Sequence, residues 1–193
     1  MSRLKHLLAA AWVVVLSACA ANEFVQTKTH VDSLSIRNSK LFIYSFLDVR
    51  TGELGPSLLD EFDRQLTQQL SKSGVTVAIL RFKDSEPGKQ YSFTSSGMQI
   101  PVRDTIVQNA SNERAMGSDF RLIIFPSQMT VSGAWRFYNV RWDLVETRTG
   151  KLVWSTSSRG KHMNAWKNDE DPETRAKTIV DGIVEEMRKS NLL

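Results

Sequence analysis

Residues 41–47 have the sequence LFIYSFL, and this stretch decides the fold of the chain. The run is short and almost continuously apolar, which is typical of a β-strand buried on both faces of a sheet. A loop over residues 48–55 follows, and Pro56 then occupies a position where a first helical residue is favoured. We therefore predict a central buried strand that leads directly into a helix.

The segment after Pro56 carries the apolar stripe of an amphipathic helix. Residues spaced three and four apart fall on one face of such a helix, and here they are Leu59, Phe62, Leu66 and Leu70. Gly74 provides the helix stop, and residues 75–82 return as a second apolar run. Strand, helix and strand then predict one crossover in which the two strands are parallel.

A long polar loop and a weaker helix come next. Loop 83–99 is long enough to be either a mobile excursion or a partner-binding loop. A helix follows from about residue 100 and ends at Gly117. Residues 120–125 form a third apolar strand, and Pro126 predicts a bulge or an edge position at its end.

The clearest two-residue period in the chain lies in residues 135–147. Apolar and polar side chains alternate there, as expected for a strand with one buried face. Residues 148–151 have the composition of a tight turn in which Gly150 can adopt a positive φ. Because the chain then returns, we predict an antiparallel hairpin with Trp142 and Trp154 in the core.

Asp171 and Pro172 begin the last helix, the first as N-cap and the second as first helical residue. Its apolar stripe should lie on the sheet and consists of Ala176, Ile179, Val180, Ile183 and Met187. The elements together predict the α/β class: a mixed sheet of about five strands, in the order β-α-β-α-β-β-β-α, covered by three helices. Residues 40–193 are expected to form this single domain.

Three features of the domain resemble a group of cell-envelope proteins. They are the opening strand with its helix, the segment AMGSDFRLII at residues 115–124 and the hairpin DLVETRTGKLVW at residues 143–154. Residues 40–189 thereby look like the amino-terminal domain of TolB, the curli secretion lipoprotein CsgG and LpoB, the lipoprotein activator of a penicillin-binding protein. The resemblance implies a fold similar to the TolB amino-terminal domain and carries no chemistry. Because the pore hairpins of CsgG and the proline-rich tether of LpoB are not evident, neither specific function transfers.

The amino terminus is organised around Cys19, the only cysteine of the chain. A basic head, an apolar middle and the ending Leu16-Ser17-Ala18-Cys19 form an export signal, and the pattern resembles the lipobox of bacterial lipoproteins. The resemblance implies a signal peptide over residues 1–18 that is cut between Ala18 and Cys19. It also implies that Cys19 carries a diacylglyceryl thioether and an amine acylated by a fatty acid such as palmitate. A retained membrane span is disfavoured, because some ten apolar residues fall short of the roughly 20 required.

The lipid sets the expected location of the protein. One acyl chain holds a protein only marginally on a membrane, whereas the three implied here make detachment negligible. The second residue of the processed chain is Ala20, and lipoproteins of the resembled kind without aspartate there travel to the outer membrane, here facing the periplasm. Residues 19–39 are predicted to be a lipidated tether that spans up to about 60 Å and whose later part can dock on the domain. As an alternative, Val31, Leu34 and Ile36 add an edge strand to the sheet.

Charge and cysteine content fit one ordinary domain behind the anchor. Removal of residues 1–18 takes away Arg3 and Lys5, so the formal net charge falls from +4 to +2. The interleaved aromatic and basic residues of a nucleic-acid binder are not evident. With Cys19 acylated, no thiol remains for a disulfide, so packing has to supply the stability.

Residues suited to catalysis are sparse, and we predict that the chain is not an enzyme. His30 lies in the predicted tether and His162 in a predicted loop, neither has a partner at metal-binding spacing, and a Gly-x-Ser-x-Gly elbow is missing. No cofactor, metal or small-molecule substrate is therefore expected. The carboxylates of Asp48, Glu53 and Asp60 keep a hydrolase as a second alternative, if they converge.

The predicted function is that of a non-enzymatic binding or assembly accessory in the cell envelope. Aromatic and arginine side chains dominate interface hot spots. The candidates here are Phe137 and Arg141 on the outward-facing side of the hairpin, Trp135 at its start and Trp166 in the loop that follows it. They are expected to contact another envelope protein, unless neighbouring elements pack over them. The alternative is a structural or secretion component that forms a homo-oligomer.

Overall fold

A computed structural model of the chain describes residues 23–48, 56–82, 93–94, 97–98, 102–132, 135–163 and 171–193. Its helices are α1 (Pro56–Ser71), α2 (Val102–Met116) and α3 (Pro172–Lys189). Its strands are β1 (Glu23–Thr29), β2 (Lys40–Ser45), β3 (Thr76–Arg81), β4 (Phe93–Thr94), β5 (Gly97–Met98), β6 (Phe120–Ser132), β7 (Trp135–Glu146) and β8 (Leu152–Met163).

Six of these strands form one mixed sheet in the order β1-β8-β7-β6-β2-β3, and β4 pairs with β5 separately. Strand β2 is parallel to both of its neighbours, β3 and β6, whereas the pairs β6–β7, β7–β8 and β1–β8 are antiparallel. The predicted α/β class and the parallel strand pair joined through α1 are confirmed. The main sheet has one strand more than predicted, because β1 joins its edge.

Strand β2 is buried on both faces, as its sequence predicts. Leu41 and Ile43 belong to the apolar cluster under α1 and α3, whereas Phe42 and Tyr44 belong to a second cluster under α2. We call the side of the sheet that carries α1 and α3 the inner face, and the side that carries α2 the outer face. The sheet is thus the middle layer of a three-layer arrangement.

Two tryptophans fill the inner face, which confirms their predicted place in the core. Trp142 and Trp154 are both fully buried. The indole N–H of Trp142 donates to Ser158 Oγ at 3.0 Å, and that of Trp154 donates to Ser190 Oγ at 3.0 Å. Because both N–H groups have partners, the two large rings are buried without an unpaired donor.

The predicted helix signals and the predicted bulge are also present. Gly74 and Gly117 follow their helices with positive φ angles of 79° and 67°, a conformation that glycine adopts without strain. Asp171 caps α3 by accepting a hydrogen bond from the Thr174 backbone N–H at 3.4 Å. The register of β6 shifts between Pro126 and Gln128, as expected for a bulge at a strand proline.

Strand β1 corrects the prediction that residues 19–39 form a tether. Glu23–Thr29 pairs with β8 as an edge of the sheet. Phe24 packs against the inner-face core beside Gly182 of α3, where an added Cβ would lie 2.9 Å from the Phe24 ring. The local sequence pattern did not reveal this strand, because the hydrogen-bond partner that stabilises it comes from the other end of the chain.

The segment between β1 and β2 also belongs to the domain. Ile36 is fully buried, and its backbone N–H donates to the carbonyl oxygen of Leu192 at 2.9 Å. Val31 and Leu34 pack against the same core. None of the three lies in a strand, so the alternative of an edge strand at these positions is wrong. The folded domain therefore includes residues 23–39 as well as the predicted range.

Two of the antiparallel strands, β6 and β8, extend further than predicted. Strand β6 continues to Ser132, and β8 continues to Met163. His162 therefore lies in a strand, where the sequence predicted a loop. The added residues of β6 and of β8 both pair with β7. They therefore keep hydrogen-bond partners beyond the point where β2 ends. Most of loop 83–99 lies outside the described residues, and so the choice between its two predicted roles stays open.

Phe24→Ala should lower the free energy of unfolding by about 1 to 3 kcal/mol, because a partly buried ring leaves the contact between β1 and α3. Urea unfolding of the processed protein measures this change. Glu23→Ala is the control at an exposed position of the same strand, with an expected change below about 0.5 kcal/mol. Near-zero changes in both variants would mean that residues 23–29 behave as a free tether.

Candidate functional site

The outer face of β7 and β8 is the candidate functional site. On this side of the sheet α2 forms an apolar cluster with residues of β2, β3 and β6, and no described residue of β7 or β8 belongs to it. The side chains that alternate with the buried Val140, Trp142 and Leu144 therefore lie on a surface outside this cluster. We call this surface the open face; its residues are Phe137, Asn139, Arg141, Asp143, Ser157 and Arg159.

Phe137 is the apolar member of the open face. Its side chain is 42% exposed, and among the described residues only Val107 is another large apolar side chain classed as exposed. Thr130 of β6 and Lys161 of β8 stand opposite Phe137 in the strand register. The outward position predicted for Phe137 from the two-residue period is confirmed. Phenylalanine is among the residues enriched in protein–protein interfaces, so Phe137 is a candidate contact residue.

Arg141 lies at the centre of the open face and is held by its neighbour in the strand. Its Nε donates to Asp143 Oδ1 at 2.9 Å and to Oδ2 at 3.1 Å, and 43% of its side chain remains exposed. Asn139 is oriented in a similar way, because its Nδ2 donates to Gln128 Oε1 at 3.0 Å. The open face thus presents an arginine whose direction is set before any partner arrives, which lowers the entropy cost of binding.

The other predicted site residues are located only in part. Trp135 begins β7, opposite Met163 of β8, but its side chain is not among those described. Cys19, the cleavage position at Ala18 and Trp166 lie outside the described residues, so their roles stay predictions. The structure therefore brings Phe137 and Arg141 together on one face and leaves Trp166 unplaced.

A cluster around Arg81 was not apparent in the sequence. Arg81 Nη1 donates to Asp60 Oδ1 at 2.8 Å, and Nε donates to Asp63 Oδ2 at 3.0 Å. Burial raises the pKa of Asp63, while the hydrogen bonds from Arg81 act against that shift. The cluster joins α1 to the end of β3. The spacing of three between two aspartates on the helix was its only local signal.

This cluster bears on the hydrolase alternative. Asp60 is engaged by Arg81 and is 74% exposed, so the structure shows it in an ion pair that joins α1 to β3. Glu53 lies outside the described residues, so the convergence of Asp48, Glu53 and Asp60 stays a prediction.

His30 Nε2 lies 3.2 Å from Ser155 Oγ. No group of three potential metal ligands occurs among the described side chains.

A second buried polar cluster lies between α2 and the sheet. Glu113 is 2% exposed, and its carboxylate accepts hydrogen bonds from Arg121 Nε at 2.8 Å and Nη2 at 2.5 Å. The hydroxyl of Tyr44 is buried nearby without a hydrogen-bond partner. Burial, followed by the negative charge of Glu113, raises the pKa of Tyr44 to about 12. The Glu113–Arg121 ion pair thus adds to the apolar cluster that holds α2 on the outer face.

Within the described part of the chain, no helix combines the length and the apolar content that a bilayer crossing requires.

Comparisons with known proteins assign no family to the chain. No protein-family model matches it, and no curated protein matches its sequence significantly. Several solved structures show a distant likeness. One is the PelC dodecamer from Paraburkholderia phytofirmans, with a TM-score of 0.46 and 12% identity over 86% of this chain and 94% of that one.

Two other similar structures are lipoproteins. GNA1162 from Neisseria meningitidis has a TM-score of 0.44 and 16% identity over 78% of this chain and 99% of that one. A minor lipoprotein from Acinetobacter baumannii has a TM-score of 0.33 and 10% identity over 79% of this chain and 91% of that one. Scores this low transfer no function. The likeness to TolB, CsgG and LpoB also stays a prediction.

Tyr44→Phe should reduce the decrease in the free energy of unfolding that occurs at alkaline pH. Because folding raises the pKa of Tyr44, this group favours the folded state fully at pH values below its unfolded pKa of 10.0. That contribution is lost as the pH rises through the folded pKa of about 12. Urea unfolding between neutral pH and pH values above that folded pKa measures the difference between variant and wild type. At neutral pH the variant should match or exceed the wild type, because an unpaired buried hydroxyl is removed.

The difference should grow with pH to about 2 to 3 kcal/mol in favour of the variant. Lysines and the other tyrosines titrate in both proteins, so they cancel in this comparison. A difference that stays constant with pH would show that Tyr44 ionises as an ordinary tyrosine does.

Proposed function

We propose that this chain is a lipid-anchored lipoprotein of the bacterial outer membrane that faces the periplasm and binds another envelope protein through the open face. The observation that carries the proposal is the exposed phenyl ring of Phe137 on the same face of β7 as the oriented guanidinium of Arg141. The role is that of a non-enzymatic accessory, and Trp135 and Trp166 are further proposed contact residues.

The composition of the open face supports a protein partner. Aromatic and arginine side chains are enriched among residues that dominate binding energy. Arg141 is paired with Asp143, so Arg159 is the only unbalanced charge among the six residues of the open face, which is less than the basic stripe that nucleic acids attract. Polar side chains such as Asn139 and Ser157 then supply the hydrogen-bonding rim that is typical of transient interfaces.

The anchor part of the proposal rests on Leu16-Ser17-Ala18-Cys19. Cys19→Ser should abolish acylation and processing, so that the protein keeps its signal peptide and incorporates no labelled palmitate. Ser17→Ala is the matched control, because it keeps a small residue at the cleavage region. The measurements are palmitate incorporation, mobility on gels and fractionation of outer and inner membranes. Normal processing of Cys19→Ser would contradict a lipoprotein.

The binding part is tested by removing the two exposed contact groups. Phe137→Ala combined with Arg141→Ala should reduce the amount of co-purified partner about tenfold or more, equivalent to at least about 1.4 kcal/mol. The partially exposed ion pair with Asp143 contributes under about 1 kcal/mol, so the melting temperature should change by only a few degrees. Partner recovery is measured by quantitative mass spectrometry after mild detergent extraction.

Lys177→Ala is the control for this experiment. Lys177 lies on the exposed surface of α3 and pairs with Asp181, so its loss should leave partner recovery unchanged. Unchanged recovery in the double variant would contradict the open face as the binding surface. Capture of only further copies of this chain, with a high multiple of the protomer mass in detergent, would favour the homo-oligomer instead.

A further inference from the structure

The strand register places one end of the sheet close to the predicted anchor. Glu23 of β1 pairs with Arg159 of β8, and Arg159 pairs with Asn139 of β7. Asn139 in turn pairs with Gln128 of β6. These four residues form one row across the sheet. Cys19 is four residues upstream of Glu23, so whatever path the chain takes, it lies within about 14 Å of this row.

Three strands continue beyond this row. Strand β7 begins four residues before Asn139, at Trp135, while β6 and β8 run on to Ser132 and Met163. Strands β1 and β7 are both antiparallel to β8, so they run in the same direction. The extension of β6, β7 and β8 therefore points the way that β1 points at its amino terminus. At about 3.3 Å per residue it projects about 13 Å.

The reach of the chain from Glu23 to Cys19 and the length of the strand extension are nearly equal. A protein held at Cys19 has its membrane within about 14 Å of the row at Glu23, and the extension covers about 13 Å of that distance. We define the tip as the last two residue rows of the extension, which consist of Val131, Ser132, Trp135, Arg136, His162 and Met163. The tip therefore comes to within about 1 Å of the level of the anchored cysteine even when the linking residues are fully extended.

The composition of the tip matches a membrane surface. No acidic residue occurs between Asp119 and Asp143, or between Glu146 and Asp169. The tip instead contains a tryptophan, an arginine, a methionine and a valine. Tryptophan is enriched at the level of lipid headgroups, and basic residues near a membrane are attracted to anionic lipids. The next row holds Lys161 and Phe137, where the tip meets the open face.

We propose that the tip rests in the headgroup layer of the same phospholipid bilayer that holds the acyl chains of Cys19. This inference rests on the lipid anchor of the proposed function. A second contact beside the anchor prevents the domain from rotating freely about its linker. The strands then stand on the bilayer, and the open face points sideways, towards proteins in the same membrane.

Site-directed spin labelling tests the proposal on the full lipidated protein. Because Cys19 is the only cysteine and is acylated, one introduced cysteine is the only free thiol. Ser132→Cys places the label in the tip, and Lys151→Cys places it at the opposite end of the β7–β8 hairpin; both positions are exposed. The two sites are about 36 Å apart along the strands. Each protein is reconstituted into vesicles of phosphatidylethanolamine and phosphatidylglycerol.

The readout is the ratio of label collisions with oxygen, which concentrates in lipid, to collisions with a water-soluble nickel complex. We expect this ratio to be severalfold higher at Ser132→Cys than at Lys151→Cys. Adding Trp135→Ser and Arg136→Glu to the Ser132→Cys protein should lower the ratio to that of Lys151→Cys. Vesicles of phosphatidylcholine alone should lower it in part, because the anionic lipid is then missing.

The outcomes separate this inference from the proposed function. Equal ratios at the two sites in protein that floats with the vesicles would overturn the membrane contact and leave the anchor intact. A label at Ser132→Cys that is shielded from both collision partners would also overturn it, since that position would then be packed against protein. Failure of the protein to float with the vesicles would overturn the anchor and the contact together.

Discussion

The structure depends on a single strand that has to be buried on both of its faces. Every side chain from Leu41 to Phe46 is buried, and successive ones point to opposite sides of the sheet. Apolar surface must be removed from water on each side, so α1 and α3 cover one face and α2 covers the other. Because β2 also bonds in parallel to a neighbour on each side, it lies in the sheet interior.

The unequal cover of the two faces produces the candidate site. Two helices line the inner face, and the core there extends as far as Trp154 in β8. On the outer face the apolar cluster around α2 contains no described residue of β7 or β8. Strands β7 and β8 are therefore apolar on one side and mostly polar on the other. Phe137 is an exposed aromatic residue on the polar side, and aromatic residues are enriched in protein–protein interfaces.

The position of β1 changes how the domain relates to its proposed anchor. A free tether of some twenty residues would allow the domain to move up to about 60 Å from the membrane. With β1 in the sheet, only three residues lie between Cys19 and Glu23. The proposed binding surface then stands at a nearly constant height above the bilayer. This restriction suits an accessory that acts on a partner in the same membrane, because it raises the effective concentration of the binding surface.

The sequence by itself determined the elements whose signals are local. These include the stripe of α1, the N-cap of α3, the bulge at Pro126 and the two-residue period of β7, which also predicted that Phe137 and Arg141 face outward. A two-residue period involves only neighbouring residues, so it can be recognised without knowing how the rest of the chain folds. The pairing of Arg141 with Asp143 follows from the same rule, since residues two apart share a face of a strand.

Only the tertiary structure decided which distant segments meet. The strand β1, the ion pairs of Arg81 with α1 and of Glu113 with Arg121, and the burial of Ile36 against the carboxyl terminus all join residues that are separated in the chain. The tertiary arrangement also decided that α2 covers only one half of the outer face. Such contacts depend on which surfaces remain unburied once the sheet has assembled, and that is a property of the whole fold.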